Sequence, residues 1–259
     1  MHTSKYENRV FVTSDTHGCN KELLHVLKLA EFDYQNDTLI HLGDVCDRGP
    51  DSFGVVSTLL MIKNLIAIRG NHDDFMREFI RTGEHPCLNM NGVNKTVLSY
   101  AQSGNIPYEE LYIHQVGYNT IDTNFQPEHM PADHIQFYLN QRSYYVDDQN
   151  RCFVHAGYNR DFPIEAQNED MLMWDGTILK QALCANKGDK FKDVNKFKRT
   201  FVGHQPTTKW KKKGKVITKP IYAAHIVDVD TGVVFGDGKI SLLDITDDDN
   251  HILYQTGLL

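Results

Sequence analysis

Short apolar runs alternate with amphipathic segments along the first 70 residues of the chain. The runs are brief and rich in aliphatic residues, as in buried strands, whereas the segments between them repeat apolar residues at helical spacing. The predicted strands are residues 9–14, 38–42 and 65–68, and the predicted helices are residues 20–30 and 50–62. We expect Asn20 to cap the first helix. This alternation predicts an α/β fold with parallel strands and helices on the sheet faces.

The pattern changes in the middle of the chain and changes again near its end. Residues 74–150 are helical only in pieces, at 75–80, 95–101 and 133–139, and we interpret them as a helical cap insert. Strands return at residues 151–154 and 199–202, and glycine-rich turns within 215–246 predict antiparallel strands on a second sheet. No linker is evident, so we predict one domain over residues 1–259 with the insert at about 74–150.

Each strand of the repeating pattern ends in a short polar motif. The motifs are Asp15-Thr16-His17-Gly18, Gly43-Asp44-Val45-Cys46-Asp47-Arg48-Gly49, Gly70-Asn71-His72-Asp73, His155-Ala156-Gly157 and Gly203-His204. A lone aspartate or histidine at such a place is usually a cap or a polar terminus. Functional groups of open α/β sheets gather at the carboxyl ends of the strands. Five motifs in the same context therefore favour one shared site.

The residue types in these motifs suit a site for two metal ions. Asp15 and His17 project to the same side of an extended chain and form a half-site for manganese, iron or zinc. Asp44 can bridge two cations because a carboxylate has two oxygens. The candidate ligands of the second cation are Asn71, His155 and His204. Two cations about 3.5–4 Å apart clamp a phosphoryl group and activate a bridging water as the nucleophile.

Four further residues of the motifs have candidate roles in catalysis. His72 is the candidate general acid, which protonates the leaving oxygen. Asp47 can hold His72 in the required tautomer and favour its protonated form. Arg48 and Arg69 can each donate two hydrogen bonds to phosphate oxygens. Together these residues predict hydrolysis of a phosphoric ester.

Composition narrows the classes of partner. The chain is 41% hydrophobic and 24% charged with a net charge of −7, which disfavours binding to nucleic acid or an anionic membrane. No run approaches the about 20 apolar residues of a membrane span. Residues 1–9 lack the apolar core of a signal peptide. The five scattered cysteines indicate reduced thiols, so we predict a cytoplasmic protein. From the charge and the lack of a membrane span, we predict no nucleic-acid or membrane partner.

These motifs resemble those of the calcineurin-like metallophosphoesterases, especially the serine/threonine phosphoprotein phosphatases of phages and bacteria. The resemblance covers residues 9–245 and implies a two-sheet β-sandwich flanked by helices, with two divalent cations, most often manganese. It implies that Asp15, His17 and Asp44 hold the first cation. It implies that Asp44, Asn71, His155 and His204 hold the second. By the same match, His72 and Asp47 form the acid pair, and Arg48 and Arg69 bind phosphate.

One departure from the phage pattern concerns a third phosphate-binding cation. The phage enzymes carry an arginine two residues after a tryptophan that resembles Trp174, and Gly176 stands at that place here. The third cationic contact is therefore missing or comes from elsewhere, with Arg160 as the first candidate and Lys180 as the second.

Three functions fit the motifs to different degrees. Asp47 favours a serine/threonine protein phosphatase-like phosphomonoesterase, because the symmetrical diadenosine tetraphosphatases that resemble this chain typically have alanine there. Asp73 is shared with those enzymes, so a symmetrical diadenosine tetraphosphatase or related nucleotide pyrophosphohydrolase is the alternative. Pro206 replaces the second histidine of a Gly-His-x-His motif and disfavours a nuclease. An inactive phosphate-binding protein is the third hypothesis, and the substrate would be a phosphorylated protein or a small phosphoester.

Overall fold

The computed structural model describes residues 8–86, 88, 92–105, 110–115, 121–185 and 191–258. This part does not include Cys87 or residues 1–7, which belong to the N-terminal segment that was predicted to lack a signal peptide. The helices of the described part are α1 (Asn20–Leu29), α2 (Ser52–Leu60), α3 (Asn71–Thr82), α4 (Val93–Tyr100), α5 (Ala132–Leu139), α6 (Glu169–Trp174) and α7 (Thr177–Ala185). The strands are β1 (Val10–Thr13), β2 (Thr38–His41), β3 (Asn64–Ala67), β4 (Ile113–Gln115), β5 (Ile121–Thr123), β6 (Tyr144–Val146), β7 (Arg151–Val154), β8 (Arg199–Val202), β9 (Lys211–Lys212), β10 (Lys215–Val216), β11 (Ile221–Ala223), β12 (Ile226–Asp228), β13 (Ile240–Asp244) and β14 (Ile252–Thr256).

The first large sheet has the strand order β14-β13-β1-β2-β3. β1, β2 and β3 are parallel, with Phe11 opposite Leu39 and Leu39 opposite Leu65. The helices that connect them lie outside the sheet, as the alternation of strands and helices predicted. Parallel pairing places the loops after β1, β2 and β3 at one edge, which is where three of the polar motifs lie.

The second large sheet has the order β11-β12-β8-β7-β6. β7, β8 and β12 are parallel, so the prediction of purely antiparallel strands in the C-terminal part is wrong for β12. β13 is antiparallel to its neighbours as predicted, but these are β1 and β14, so its predicted place in the second sheet is wrong. The alternating pattern identified these segments as strands, but it carried no information about their neighbours. The two large sheets are flanked by helices, and this arrangement confirms the predicted α/β sandwich.

The core between the sheets consists of aliphatic and aromatic side chains from both inner faces. Val12 and Ile40 of the first sheet belong to the same buried cluster as Phe153 and Phe201 of the second. The two phenylalanine rings stack with centroids 5.1 Å apart. Separate apolar clusters join each outer face to its helices. This sandwich fixes the two sets of strand ends relative to one another.

Asn20 does not cap α1, contrary to the prediction. The N-cap position belongs to Cys19, whose side chain makes no capping hydrogen bond. Asn20 instead donates to Asp51 Oδ2 over 3.0 Å and accepts from Thr58 Oγ1 over 2.8 Å, which joins α1 to α2. Asp51 caps α2 by accepting from the backbone N–H of Gly54 at 2.8 Å.

The predicted insert contains α4, α5, the β4–β5 hairpin and most of α3 in the described residues. α4 packs on α2, and α5 packs on α3. β6, which begins at Tyr144, already belongs to the second sheet, so sheet structure starts before the predicted end at residue 150. A capping role for this segment stays a prediction. Among the described helices, the longest apolar stretch is too short to cross a bilayer.

Candidate active site

The loops after β1, β2 and β3 are packed against each other through their backbones. Asp15 N–H donates to the carbonyl of Gly43 at 3.0 Å, and His17 N–H donates to the carbonyl of Asp44 at 2.9 Å. A Cβ on Gly43 would lie 2.3 Å from Gly70 N, so only glycine permits this approach. Asp15, His17 and Asp44 all have positive φ, at 49°, 43° and 58°. Such conformations are concentrated at functional sites, where the surrounding structure maintains them.

The first cluster of candidate ligands contains His17, Asp44 and His72, all buried. His17 Nε2 lies 3.6 Å from Asp44 Oδ2. The His17 and His72 rings are 4.9 Å apart and perpendicular. The cluster therefore includes His72, for which the sequence predicted an acid role rather than a ligand role.

The second cluster contains Asp44, His155 and His204. His155 Nε2 lies 3.5 Å from Asp44 Oδ1, so the two oxygens of Asp44 face the two clusters. Asn71 Oδ1 lies 3.2 Å from His155 Nε2 and 3.0 Å from His204 Nδ1. The structure thus brings together all four residues that were predicted to hold the second cation.

Asp15 was predicted to hold the first cation, but it is not a member of the first cluster and contacts His204 of the second. Its Oδ2 accepts the backbone N–H of His204 at 3.0 Å and the hydroxyl of Ser14. Burial raises the pKa of Asp15, and the neighbouring carboxylate of Asp44 raises it further. Two buried carboxylates this close favour a bound cation, because a positive charge relieves their repulsion.

The donor set fits two divalent cations. His17 Nδ1 is 2.8 Å from the carbonyl of Cys46, and His155 Nδ1 is 2.7 Å from the carbonyl of Leu42. These contacts place a proton on each Nδ1 and leave Nε2, the nitrogen that faces Asp44, with its lone pair. Burial lowers the pKa of His17, and burial with His155 nearby lowers that of His204 to about 3. Neutral imidazoles are the form that binds metal.

His72, a member of the first cluster, forms a buried pair with Asp47. His72 Nδ1 lies 2.6 Å from Asp47 Oδ2, and both side chains are almost fully buried. Burial alone would lower the pKa of His72, but the charges of Asp44 and Asp47 outweigh it and raise that pKa. The raised pKa favours the protonated imidazole that a general acid requires.

Thr96 orients Asp47, and nothing in the sequence indicated this role. Its hydroxyl donates to Asp47 Oδ1 at 2.7 Å and accepts the backbone N–H of Asp47 at 2.9 Å. Thr96 lies on α4, 49 residues from Asp47, inside the predicted insert. The insert therefore supports the acid pair directly.

Asp73 also has a positioning role that the motif comparison did not identify. Its Oδ2 accepts the backbone N–H groups of Asp44 at 2.8 Å and Gly70 at 3.0 Å, and its Oδ1 accepts that of Val45 at 3.0 Å. Gln141 donates to it as well, at 3.1 Å. Burial, with the charge of Asp44, raises the pKa of Asp73 to about 7. Asp73 thus joins the second and third motif loops.

The structure places only one of the three predicted phosphate-binding arginines on the candidate ligands. Arg48 Nη1 lies 2.8 Å from His17 Nε2, and its Nη2 lies 2.9 Å from His72 Nε2. Its guanidinium also stacks on Phe235, 5.3 Å from the ring centroid.

Arg69 and Arg160 have other partners in the described structure. Arg69 is buried and pairs with Glu169 at 2.7 Å and with Asp74 at 3.3 Å. Arg160 stacks on Phe191 at 4.1 Å and donates to Gln181 at 2.9 Å. Phosphate binding by these two residues stays a prediction.

Aromatic side chains border the site on the side of His72 and His204. The Trp174 ring is 6.0 Å from that of His204 and 5.7 Å from that of Phe75, which is 6.1 Å from that of His72. Trp174 is 47% exposed, so much of its ring is accessible. We call Trp174 and Phe75 the aromatic wall.

The side chain of Gln205 fills the space next to Gly176. A Cβ on Gly176 would lie 2.2 Å from Gln205 Nε2. This glutamine therefore stands where a side chain at position 176 would begin, which explains how the chain accommodates the loss of the phage-type arginine. The space contains a neutral amide in the described structure and supplies no third cation.

Two relatives that match the chain over different lengths have different names. The chain is 27% identical over 244 residues to an asymmetrical bis(5'-nucleosyl)-tetraphosphatase of Bacillus cereus, covering 89% of this chain and 87% of the relative. It is 37% identical to serine/threonine-protein phosphatase 1 of Salmonella typhimurium over 89 residues, which cover 34% of this chain and 41% of the relative.

A solved structure of another protein has the same fold as this chain. A solved structure provisionally assigned as a diadenosine tetraphosphatase matches with a TM-score of 0.61 and 19% identity, covering 97% of this chain and 95% of that one. The family model for calcineurin-like phosphoesterases matches residues 8–237, which include every polar motif described above. With its two-sheet sandwich and its two ligand clusters that share Asp44, the chain belongs to the calcineurin-like phosphoesterase family, whose members depend on two metal ions.

Proposed function

We propose that the protein hydrolyses phosphoric monoesters with His72 as the acid that protonates the leaving oxygen. The observation that carries this proposal is the 2.6 Å contact between His72 Nδ1 and Asp47 Oδ2, buried beside two clusters that share Asp44. An orienting carboxylate on one ring nitrogen directs the other, Nε2, towards the substrate. Arg48 Nη2 lies 2.9 Å from that nitrogen and, because a guanidinium only donates, would turn to a phosphate oxygen when Nε2 carries its proton.

The ligand clusters assign roles to the other residues. Asp15, His17 and Asp44 would hold the first cation, and Asp44, Asn71, His155 and His204 would hold the second. Two divalent cations, for which we propose manganese, supply Lewis acidity to the phosphoryl oxygens and activate water for attack on phosphorus. Asp73 keeps the loop of Asp44 in place through its backbone N–H bonds.

The acid pair favours substrates that leave as alkoxides. Phosphoserine and phosphothreonine release poor leaving groups, and these depend most on a proton from His72. We therefore propose a serine/threonine protein phosphatase-like activity. The partial relative from Salmonella typhimurium, named serine/threonine-protein phosphatase 1, supports this choice.

A second candidate function is hydrolysis of dinucleoside tetraphosphates, symmetrical or asymmetrical. The aromatic wall favours it, because Trp174 offers an accessible ring beside His204 on which a nucleobase can stack. The relative from Bacillus cereus that matches over most of both chains bears the name of this activity. An inactive phosphate-binding protein is the least supported candidate, since the chain retains every ligand and the acid pair.

One experiment separates these candidates. Manganese-loaded protein is assayed side by side on phosphoserine and phosphothreonine peptides, diadenosine tetraphosphate and p-nitrophenyl phosphate. We expect turnover of all phosphomonoesters, with a higher kcat/KM for the peptides than for the dinucleotide, and Asp47→Ala should narrow that difference. A tenfold preference for the dinucleotide would replace the first candidate by the second. Absence of metal-dependent turnover on every substrate would support the inactive binder.

A further inference from the structure

A concave surface lies on the β9–β10 hairpin, whose basic sequence suggests either contact with an anionic substrate or a solvated hairpin tip. Its volume is about 1030 Å³, at the upper end of the range for pockets that bind small molecules. The lining residues come from the hairpin, the following segment and α7, and they are Leu183, Trp210, Lys211, Lys212, Lys213, Lys215, Val216, Ile217, Thr218, Lys219, Pro220, Ile221 and Tyr222. We call this surface the basic cavity.

The charge of the basic cavity is opposite to that of the protein as a whole. Five of its lining residues are lysines, and none of its described lining residues is acidic. The complete chain has a net charge of −7. A concentration of five positive charges in a concave surface attracts a polyanion, even on a protein that is acidic overall.

The rest of the lining is apolar and aromatic. Leu183 and Ile217 contribute aliphatic surface, and Tyr222 is 49% exposed. Trp210 packs against the apolar cluster outside the second sheet, and its Nε1 is buried without a hydrogen-bond partner in the described structure. An unpaired buried donor is costly, because it has lost its hydration without gaining an acceptor. A ligand with an acceptor at this position would remove that cost.

We propose that the basic cavity binds a nucleoside polyphosphate. The lysines would hold the phosphates, and the aromatic and aliphatic surface around Trp210 and Tyr222 would hold the base and ribose. Apart from Leu183, the lining comes from one short stretch of chain, residues 210–222 around the hairpin, and so local a surface suits a small molecule better than an extended acidic peptide. None of the candidate metal ligands and none of the three predicted phosphate-binding arginines lines it. This site is therefore separate from the active site, and the proposal stands whether or not the proposed reaction is correct.

The two tryptophans of the chain make a direct test possible. Trp174→Phe leaves Trp210 as the sole tryptophan, so its fluorescence reports on the basic cavity. Metal-free Trp174→Phe protein is titrated with ATP in the presence of EDTA, which prevents hydrolysis. We expect a saturable change in fluorescence. Lys211→Glu/Lys213→Glu/Lys215→Glu in the same background should weaken binding at least tenfold, and the Lys→Gln triple variant should weaken it less.

A matched control reverses three exposed lysines elsewhere, Lys21, Lys28 and Lys63, to glutamate and should leave the ATP affinity unchanged. Circular dichroism checks folding, and turnover of p-nitrophenyl phosphate by each lysine variant with Trp174 intact reports on the proposed function separately. Equal ATP affinity in both triple glutamate variants, or no fluorescence change, would overturn the proposal. Equally tight binding of inorganic triphosphate would show a simple anion site, and tighter binding of an acidic peptide would show a peptide-docking surface. Either result would also overturn the proposal.

Discussion

The two sheets each place three parallel strands at the site, yet they supply different chemistry. The first sheet supplies carboxylates from the loops after β1 and β2, and it also supplies the acid pair, with Asp47 in the loop after β2 and His72 at the start of α3. The second supplies two imidazoles, His155 after β7 and His204 after β8. Its third parallel strand, β12, is followed by Asp230, but that carboxylate accepts the N–H of Gly232 within a turn. Charge and proton transfer thus belong to the first sheet, which also supplies the neutral side chains of His17 and Asn71, whereas the candidate ligands from the second sheet are both imidazoles.

The site residues of the two sheets are also held in place by different contacts. The loops of the first sheet are joined by backbone hydrogen bonds and by Asp73. Each histidine of the second sheet connects to the first through two contacts, His155 to the Leu42 carbonyl and to Asn71, and His204 to Asp15 and to Asn71. A change of Asp44 in the first sheet should disturb both cations, because both clusters contain it, whereas a change of either histidine in the second sheet should disturb only one.

The largest effect is expected from Asp44→Asn, because Asp44 is the only residue shared by both clusters of described candidate ligands. Manganese binding should weaken at both sites, and turnover should fall to background. The rise in melting temperature that a bound ion causes should disappear with it. Elemental analysis, thermal unfolding with and without Mn²⁺, and turnover measure these outcomes.

The matched variant in the second sheet, His204→Asn, should lose one equivalent of metal and keep the other. Asp37→Asn, a buried aspartate paired with Arg9, should lower stability but keep both equivalents. Two fully occupied metal sites and normal turnover in Asp44→Asn would refute its bridging role. Equal metal loss in the Asp44 and His204 variants would remove the difference between the sheets.

His72→Asn should lower kcat by about 10²- to 10⁴-fold, the usual contribution of a general acid. Metal content should remain near normal, although His72 lies within the first cluster. The loss should be smaller for dinitrophenyl phosphate than for phenyl phosphate, because an acidic leaving group needs less protonation. Parallel steady-state assays on the two esters measure this.

The control for this variant is His134→Asn, a buried histidine that bonds to Tyr100 and Ser57 away from the clusters. It should alter stability without changing the ratio between the two esters. If His72→Asn loses metal, or affects both esters equally, His72 is a ligand and the acid role is wrong.

Asp73→Asn should weaken manganese affinity by about 10- to 100-fold, as is usual for residues that orient ligands. In the native protein the carboxylate of Asp73 accepts hydrogen bonds from the backbone N–H groups of Asp44 and Gly70. An asparagine would place an amide NH₂, which can only donate, against these donors or against that of Val45. Manganese titration followed by calorimetry measures the change. Asp74→Asn, on the adjacent, partly exposed position, should leave the affinity unchanged. Unaltered affinity in Asp73→Asn would show that backbone packing alone fixes the first-sheet loops.

Thr96→Val should have the smallest effect, a loss of about three- to tenfold in kcat with unchanged KM. Valine keeps the shape of threonine but cannot bond to Asp47, which then orients His72 less well. Assays with alkyl and aryl phosphates should show the larger loss on the alkyl ester. Thr58→Val removes a buried bond to Asn20 and should affect stability only. A loss equal on both esters would mean that Thr96 acts through stability.

The sequence predicted local features well. Residues 151–154 and 199–202 match β7 and β8, because a short apolar run bounded by polar residues suffices to identify a strand. The candidate ligands lie close together because parallel strands bring their carboxyl ends to one edge, and metal binding by them stays a prediction. The family resemblance and the sandwich are both confirmed by the family model and the solved structure.

Contacts between distant parts of the chain were not predictable in this way. The pairing of β13 with β1, the bond from Thr96 to Asp47 and the pairing of Arg69 with Glu169 each join residues far apart in sequence. A periodic pattern reports which face of an element is apolar, but it contains no information about the partner of a polar group. The orientation of an arginine therefore depends on acids that only the fold brings near.

The close approach of Gly43 and Gly70 has a consequence for engineering the enzyme. A Cβ on Gly43 would lie 2.3 Å from Gly70 N, and one on Gly70 would lie 2.2 Å from Asp44 Oδ1. Neither loop can be widened by one substitution without displacing the shared carboxylate. Libraries that aim to alter substrate range should therefore leave the inner loops intact and diversify the outer rim, where Trp174 is exposed.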